Sequence, residues 1–251
     1  MSTSTLLVIN SANRSTDSKS SSDFNYDIGQ TIEAASIAIK GISIPVTQYN
    51  VISPFNIFYY YVADDLYQVS FQPGQYSLAE MLVSIEAQFL ASAAITVTFT
   101  QDPHTQKITF ASAVPVKFYS QEESEGIYRL LTLLGLPAES TPTIYITTLT
   151  FPYLPELQGL KNYYLLTRVL SQGSNGLFTG GIQEALQTNV PITVAFGQTQ
   201  HYEPILIETS TITFARPINI QNLDIRIVDA SLNPVDLNGS DVELIYKIWR
   251  K

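Results

Sequence analysis

In segment after segment of this chain an apolar residue returns at every second position, and in only two segments does it return at helical spacing. From Ala34 to Ile44, Ile37 and Ile39 alternate with Ala38 and Lys40, and Ile42 and Ile44 flank Ser43. That is the period of a half-buried strand, and Pro45 ends it. Strands are likewise expected at Phe24–Ile28, Asn56–Ala63, Tyr67–Phe71, Ile95–Thr100, Lys107–Ala111 and Thr143–Thr150. Further ones are expected at Asn162–Leu170, Ile192–Phe196, Ile205–Ile207, Ile218–Asp229 and Val242–Trp249. Turn chemistry separates them: Asp64-Asp65, the Gln101–Gln106 connection, and Asn238-Gly239 within the hairpin Asp229–Asp241. So many short strands imply a mainly β fold of sandwich type.

The two helical segments sit together in the middle. Ser77 and Glu80 form a capping box ahead of Leu78, Met81, Leu82, Ile85 and Phe89, which share one helix face. A second box, Ser120 with Glu123, opens a shorter helix carrying Ile127, Leu130, Leu131 and Leu134. Gly135 is its natural C′ residue, and Pro137 follows where a helix stops. Tyr67 to Pro137 therefore reads as a compact α+β block set between strand-rich ends. The segment of about residues 10–22 (NSANRSTDSKSSS) has little apolar surface to bury and is expected to be a mobile arm or long loop.

Composition removes several function classes. Only 14% of residues are charged, against an ordinary fraction of about 25%. Polarity comes instead from Ser, Thr, Gln and Asn, and bulk from 15 Tyr and 12 Phe among the aliphatic residues. The absence of Cys excludes a disulfide scaffold and a thiolate zinc site. A net charge of -9 argues against a nucleic-acid partner. No signal-like segment is seen, and no apolar run approaches the roughly 20 residues of a membrane span.

No residue pattern makes a compelling reactive site. His104 lies in an Asp-Pro-His-Thr turn, and His201 in a polar stretch before Tyr202 and Glu203, where a surface or subunit-contact role is expected. Gly173, Gly176, Gly180 and Gly181 of the Ser171–Gly181 loop lack the Lys and the strand-to-helix context of a phosphate cradle. Asp236, Asn238 and Asp241 resemble part of a calcium loop without its terminal Glu, and a hairpin turn accounts for them as well. Glu122, Glu123 and Glu125 suit the first turn of the second helix. Glu203 with Glu208 is the one carboxylate pair worth testing for glycoside hydrolysis. The expectation is of no catalytic residue, no metal and no cofactor.

The order of the segments carries a resemblance. A Ser-rich arm containing Asn13-Arg14 precedes Asp23-Phe24-Asn25-Tyr26-Asp27-Ile28, then Ile37 to Pro45 and Gln48-Tyr49-Asn50-Val51. Pro73-Gly74-Gln75-Tyr76-Ser77 opens a helix, the hairpin Ile95 to Phe110 follows, and Leu133-Leu134-Gly135-Leu136 ends the short helix. The chain closes on Val235 to Val242. Over nearly its whole length this order resembles the penton and related minor capsid proteins of virophages, Polinton-like viruses and their larger relatives with double jelly-roll major capsid proteins. The resemblance implies a single jelly-roll β-sandwich (1–62 and 141–251) with an inserted small α+β domain (63–140). It further implies a virion protein, assembled in the host cell, whose homopentamers close the capsid vertices beside the major capsid protein.

An interface favours Tyr and Phe over Lys and Glu, which is where this composition leans. Candidate interface residues are Phe58, Tyr59, Tyr60, Tyr61, Tyr163, Tyr164 and His201, with Lys247 and Arg250 as a small basic spot. For the aromatic runs, core burial of alternate residues is the competing reading, since a strand turns half its side chains inward. Two other functions stay open: a cement protein between capsomers, and a carbohydrate- or receptor-binding β-sandwich stacking Tyr and Trp249 on its ligand.

Overall fold

The computed structural model describes residues 3–53, 56–119, 129–137, 140–142, 144–157, 159–171, 176–179 and 182–250. The chain divides into two compact units, Met1–Gln48 with Leu160–Lys251, and Tyr49–Gly159. These limits differ from the 62/63 and 140/141 junctions expected above. The strand Ile57–Val62 and the strand Ile146–Thr150, both expected in the jelly roll, are hydrogen-bonded into the sheet of the second unit. The second capping box and Glu122, Glu123 and Glu125 lie outside the described residues.

In the first unit the strands are β1 (Ser4–Asn10), β2 (Asp23–Pro45), β8 (Asn162–Thr167), β9 (Gly176–Thr179), β10 (Ile182–Pro191), β11 (Thr199–Tyr202), β12 (Thr211–Val228) and β13 (Glu243–Trp249). All pairings are antiparallel, in the order β1-β13-β2-β12-β8-β10-β9, with β11 beside the end of β2. A flat sheet would put β13 and β10, four strands apart, at about 19 Å. Instead the Tyr246 hydroxyl of β13 donates to Gln187 Oε1 of β10 over 2.7 Å, in the buried interior. The sheet has therefore folded over onto itself, and its two halves enclose one core from Phe24 and Ile37 to Leu165, Ile225 and Tyr246. This is a jelly-roll β-sandwich.

Bends in the two longest strands make the fold-over possible. In β12 the ladder shifts between Thr213 and Ile218, where Pro217 has no N–H to offer. In β2 the ladder shifts between Asp27 and Ile32, around Gly29 at φ +75°, whose N–H donates to Asp27 Oδ1. Phe24–Ile28 and Ala34–Ile44 are thus one bent strand, not two. The Ser-rich segment is also not a free arm. Ser15 N–H donates to the Asn25 carbonyl, Asn25 N–H to Ser18 Oγ, and Ser22 Oγ to the Val235 carbonyl, leaving Ser11, Ser21 and Ser22 buried. Hydroxyls here supply the pairing that apolar burial does not.

The second unit carries β3 (Ile57–Val62), β4 (Asp65–Ser70), β5 (Val97–Gln101), β6 (Ile108–Phe118) and β7 (Ile146–Thr150), with helices α1 (Leu78–Ala93) and α2 (Arg129–Leu133). The sheet runs β4-β3-β6-β5, with β7 on β6. Both halves of the Ser77–Glu80 capping box are formed. Met81, Leu82, Ile85 and Phe89 join Phe58, Tyr60, Phe99, Phe110, Phe118 and Phe151 in a single core, with the Tyr60 and Phe89 rings stacked at 3.8 Å. Beyond α2, Gly135 N–H donates to the Thr132 carbonyl and Leu136 N–H to that of Leu131, a Schellman end.

Candidate interface

Alternation along each strand decides which of the candidate side chains can meet another molecule. In β3, Phe58 and Tyr60 point into the core and are at most 1% exposed. In β8, Tyr163 is fully buried, while Tyr164 on the other parity is half-buried. Phe58, Tyr60 and Tyr163 are accordingly core residues and leave the list of interface candidates. Burial pushes the Tyr163 and Tyr246 phenols well above the usual range, and their hydrogen bonds to Gln48 and Gln187 offset this only in part.

Tyr59 and Tyr61 face the opposite side of β3. Their rings meet Tyr119 at 6.0 and 5.7 Å, and Lys117 Nζ sits 5.5 Å from the centre of the Tyr61 ring. Nearby, Tyr145 OH donates to Asp64 Oδ1 over 2.8 Å and accepts from Asp64 N–H, and the first of these bonds raises the Tyr145 phenol. The result is an aromatic outer face on the second unit.

In the first unit, Leu244, Tyr246 and Ile248 of β13 are buried, so Ile245, Lys247 and Trp249 face outward. Lys247 Nζ lies 4.9 Å from the Trp249 ring centre. Register places Val8, Leu6 and Ser4 of β1 opposite these three residues, and Gly41, Ala38 and Ser36 of β2 on their other side. Leu6 and Val8 are each 53% exposed. Arg250, partly buried, closes the strip through its N–H to the Thr3 carbonyl. Strand β1 was not expected from the sequence. Its signal is the run Leu6-Leu7-Val8-Ile9, apolar at both parities, as in a strand covered on two faces.

Farther along the same face, β11 sets His201 opposite Ser43, with His201 Nδ1 2.9 Å from the serine Oγ. Glu203 follows, exposed; its Cγ is 3.9 Å from where a Cβ on Gly41 would stand. The stretches Ile192–Phe196 and Ile205–Ile207 are not strands. The first is an irregular turn, and the second runs into the 3-10 turn Ile207–Ser210. Ile192 and Val194 still pack against the core from this irregular turn, whereas Phe196 is 41% exposed and Ile205 is completely exposed. Ser210 Oγ ties the far side of this loop to the Ile39 carbonyl over 2.9 Å.

The other sequence candidates separate into local roles. Asp102 Oδ1 accepts from the N–H groups of His104 and Thr105, which makes His104 a turn residue. Asp236 Oδ1 accepts from Asn238 N–H, whereas Asp241 takes Ser11 Oγ and Arg14. Gly176 starts β9 inside the stretch expected to be a loop; Gly173, Gly180, Gly181 and the Glu208 side chain lie outside what is described. Among the described residues, no cluster of three or more His, Asp or Glu is placed to hold a metal, and no helix is long and apolar enough to cross a membrane.

One polar cluster is buried. Glu184 of β10, fully enclosed, receives Arg168 Nε at 3.1 Å and Arg226 Nη1 at 2.5 Å on the same carboxylate oxygen. Asp224 holds the turn beside it through the N–H groups of Arg168 and Val169 and the Thr167 hydroxyl.

No protein-family model matches the sequence, and no curated protein does. Among solved structures, the crystal structure of the mavirus penton protein matches over 99% of this chain and 99% of its own, with a TM-score of 0.55 and 9% identity. The two chains share a fold from end to end.

Proposed function

We propose that this protein is a structural capsid protein, the penton whose homopentamers close the five-fold vertices of an icosahedral virion and abut the surrounding major capsid protein. The observation that carries this reading is the end-to-end fold match to a mavirus penton protein, which spans both units and not the jelly roll alone. A cyclic pentamer joins two different patches of one chain around a ring. The chain exposes apolar groups that suit such contacts, with Leu6 and Val8 on an outer sheet face and Ile205 on a loop. The low charged fraction of 14% fits surfaces that are covered on assembly.

The test is the mass of the purified protein by light scattering, with its symmetry read by negative-stain imaging. A particle of five chains is expected. Co-assembly with the major capsid protein of the same virus then tests the vertex position. Penton particles that never join such shells would remove the vertex role.

A further inference from the structure

The loop ahead of β13 carries an Asn-Gly pair whose side chain does more than its turn requires. Ser240 N–H donates to the Leu237 carbonyl over 2.9 Å, and the two residues between, Asn238 and Gly239, sit at φ +48° and +77°. A type I′ turn has both central residues at positive φ and favours Asn-Gly, so backbone geometry alone accounts for the sequence. The turn has no need of the Asn238 side chain, yet Nδ2 donates to the Thr47 carbonyl. Thr47 Oγ1 donates in return to the Leu237 carbonyl over 2.8 Å, and Gln48 Nε2 to the Asp236 carbonyl over 3.1 Å. Gln48 Oε1 accepts from the Tyr163 hydroxyl. Thr47 and Gln48 are the last residues of the first unit before the chain passes into the second at Tyr49. The turn is a latch on that exit.

Asn-Gly is also the asparagine junction most open to deamidation, because glycine has no side chain to shield its nitrogen. Asn238 and Gly239 are both exposed, the Gly239 N–H has no acceptor among the described residues, and a Cβ at Gly239 would meet nothing within 4 Å. Two bonds hold the reacting group back: Asn238 N–H to Asp236 Oδ1 over 2.8 Å, and Nδ2 to the Thr47 carbonyl. When the latch opens, the Gly239 nitrogen attacks Asn238 Cγ. The Cγ–Nδ2 bond breaks, the amide leaves as ammonia with the proton from the Gly239 N–H, and a five-membered imide closes. Water then adds to either imide carbonyl and yields aspartate or isoaspartate. Neither product closes the latch again, since a carboxylate has no N–H for the Thr47 carbonyl and sets its charge against that oxygen.

We infer that Asn238 is a site of spontaneous deamidation, and that the reaction releases Thr47 and Gln48 irreversibly. Opening of the latch sets the rate, so a change that loosens the turn speeds the reaction. The product in turn abolishes the latch. An aged chain therefore differs from a new one at a defined point, the exit from the first unit, and carries one more negative charge close to Asp236. This holds whatever the chain assembles into.

Trypsin isolates the site, because the peptide Ile227–Lys247 holds Asn238 apart from the other Asn-Gly pair, Asn175-Gly176, which lies upstream of Arg226. The full chain is incubated in mildly alkaline buffer and the peptide is followed by mass spectrometry. It is expected to appear with the amide NH2 replaced by OH, as two chromatographic isomers, and more slowly than in the free peptide of the same sequence. Thr47→Val removes one neutral hydrogen bond from the latch and is expected to speed the reaction by about fivefold. Asn238→Asp, its fold checked by circular dichroism, is expected to raise hydrogen exchange over residues 44–49 by roughly tenfold. A folded chain still unmodified when the free peptide is fully converted overturns the site. An unchanged rate in Thr47→Val, or unchanged exchange in Asn238→Asp, overturns the latch.

Discussion

Replacing Glu184 by glutamine keeps the shape of the side chain and deletes its charge. The cost follows from what surrounds it. Arg226, with 14% of its side chain exposed, has its guanidinium directed at the carboxylate, and Arg168 approaches from a side chain 47% exposed. Without the carboxylate, Arg168 swings into water at a cost of at most about 1 kcal/mol, the scale of an exposed pair. Arg226 has no such exit, and stranding a buried charge costs roughly 3–5 kcal/mol. Glu184→Gln is therefore expected to lower unfolding free energy by about 3–5 kcal/mol. Urea denaturation followed by the fluorescence of Trp249, the only tryptophan and part of the same unit, measures it. The companion variant Glu184→Leu/Arg226→Met removes both charges, and a buried pair replaced by apolar groups is often neutral or better. It should recover most of the loss. A Glu184→Gln penalty below about 1 kcal/mol, the range of an exposed pair, or a double variant as unstable as the single one, would refute the assignment of the cost to a stranded Arg226.

Two further perturbations probe other parts of the fold. At Gly135, φ is +94° and an added Cβ would lie 2.2 Å from the Tyr153 carbonyl oxygen, whereas at Gly159, φ +70°, it would meet nothing within 4 Å. Both alanine variants incur the left-handed backbone penalty of about 1–2 kcal/mol, but only Gly135→Ala adds a backbone clash. Calorimetry should show a larger loss of Tm at 135, and equal losses would contradict it. The raised Tyr163 and Tyr246 phenols give stability that is fully present below the unfolded tyrosine pKa of about 10 and lost as pH rises above it. Stability measured against pH should fall in that alkaline window, with these two phenols ionising only on unfolding. A flat alkaline profile would show that they are not held neutral by burial.

How much was legible in the sequence depended on whether the buried face of a strand was apolar. Residues Ala34–Ile44 and Val242–Trp249 alternated cleanly because their inward positions are Ile, Leu and Tyr. Strand β10 was missed because its buried positions include Glu184, which meets Arg226 on the face away from the core, and Gln187, which meets the Tyr246 hydroxyl, so it reads as polar. The false strand at 205–207 failed in the opposite sense, with Ile205 and Leu206 turned outward, whereas at 192–196 Ile192 and Val194 reach the core from an irregular turn that has no strand partner. In the helices, the first capping box and the Gly135 stop were readable because each depends on a few local atoms.

The candidate surface was less legible. Lys247, Arg250 and His201 were named from the sequence, but their apolar neighbours Leu6, Val8 and Ile205 were not. A hydrophobic residue carries no mark of being outside; only the register of β1 on β13 and the depth of the core show it. Tyr59 and Tyr61 were distinguishable from Phe58 and Tyr60 only once β3 had a defined inner face.

The penton reading is tested most directly by the assembly state of the purified chain across a concentration series, by light scattering coupled to negative-stain class averages. A species of five copies of the 27.8 kDa chain with five-fold symmetric views is expected. A strict monomer at every concentration, with no ring even beside the major capsid protein, would contradict it.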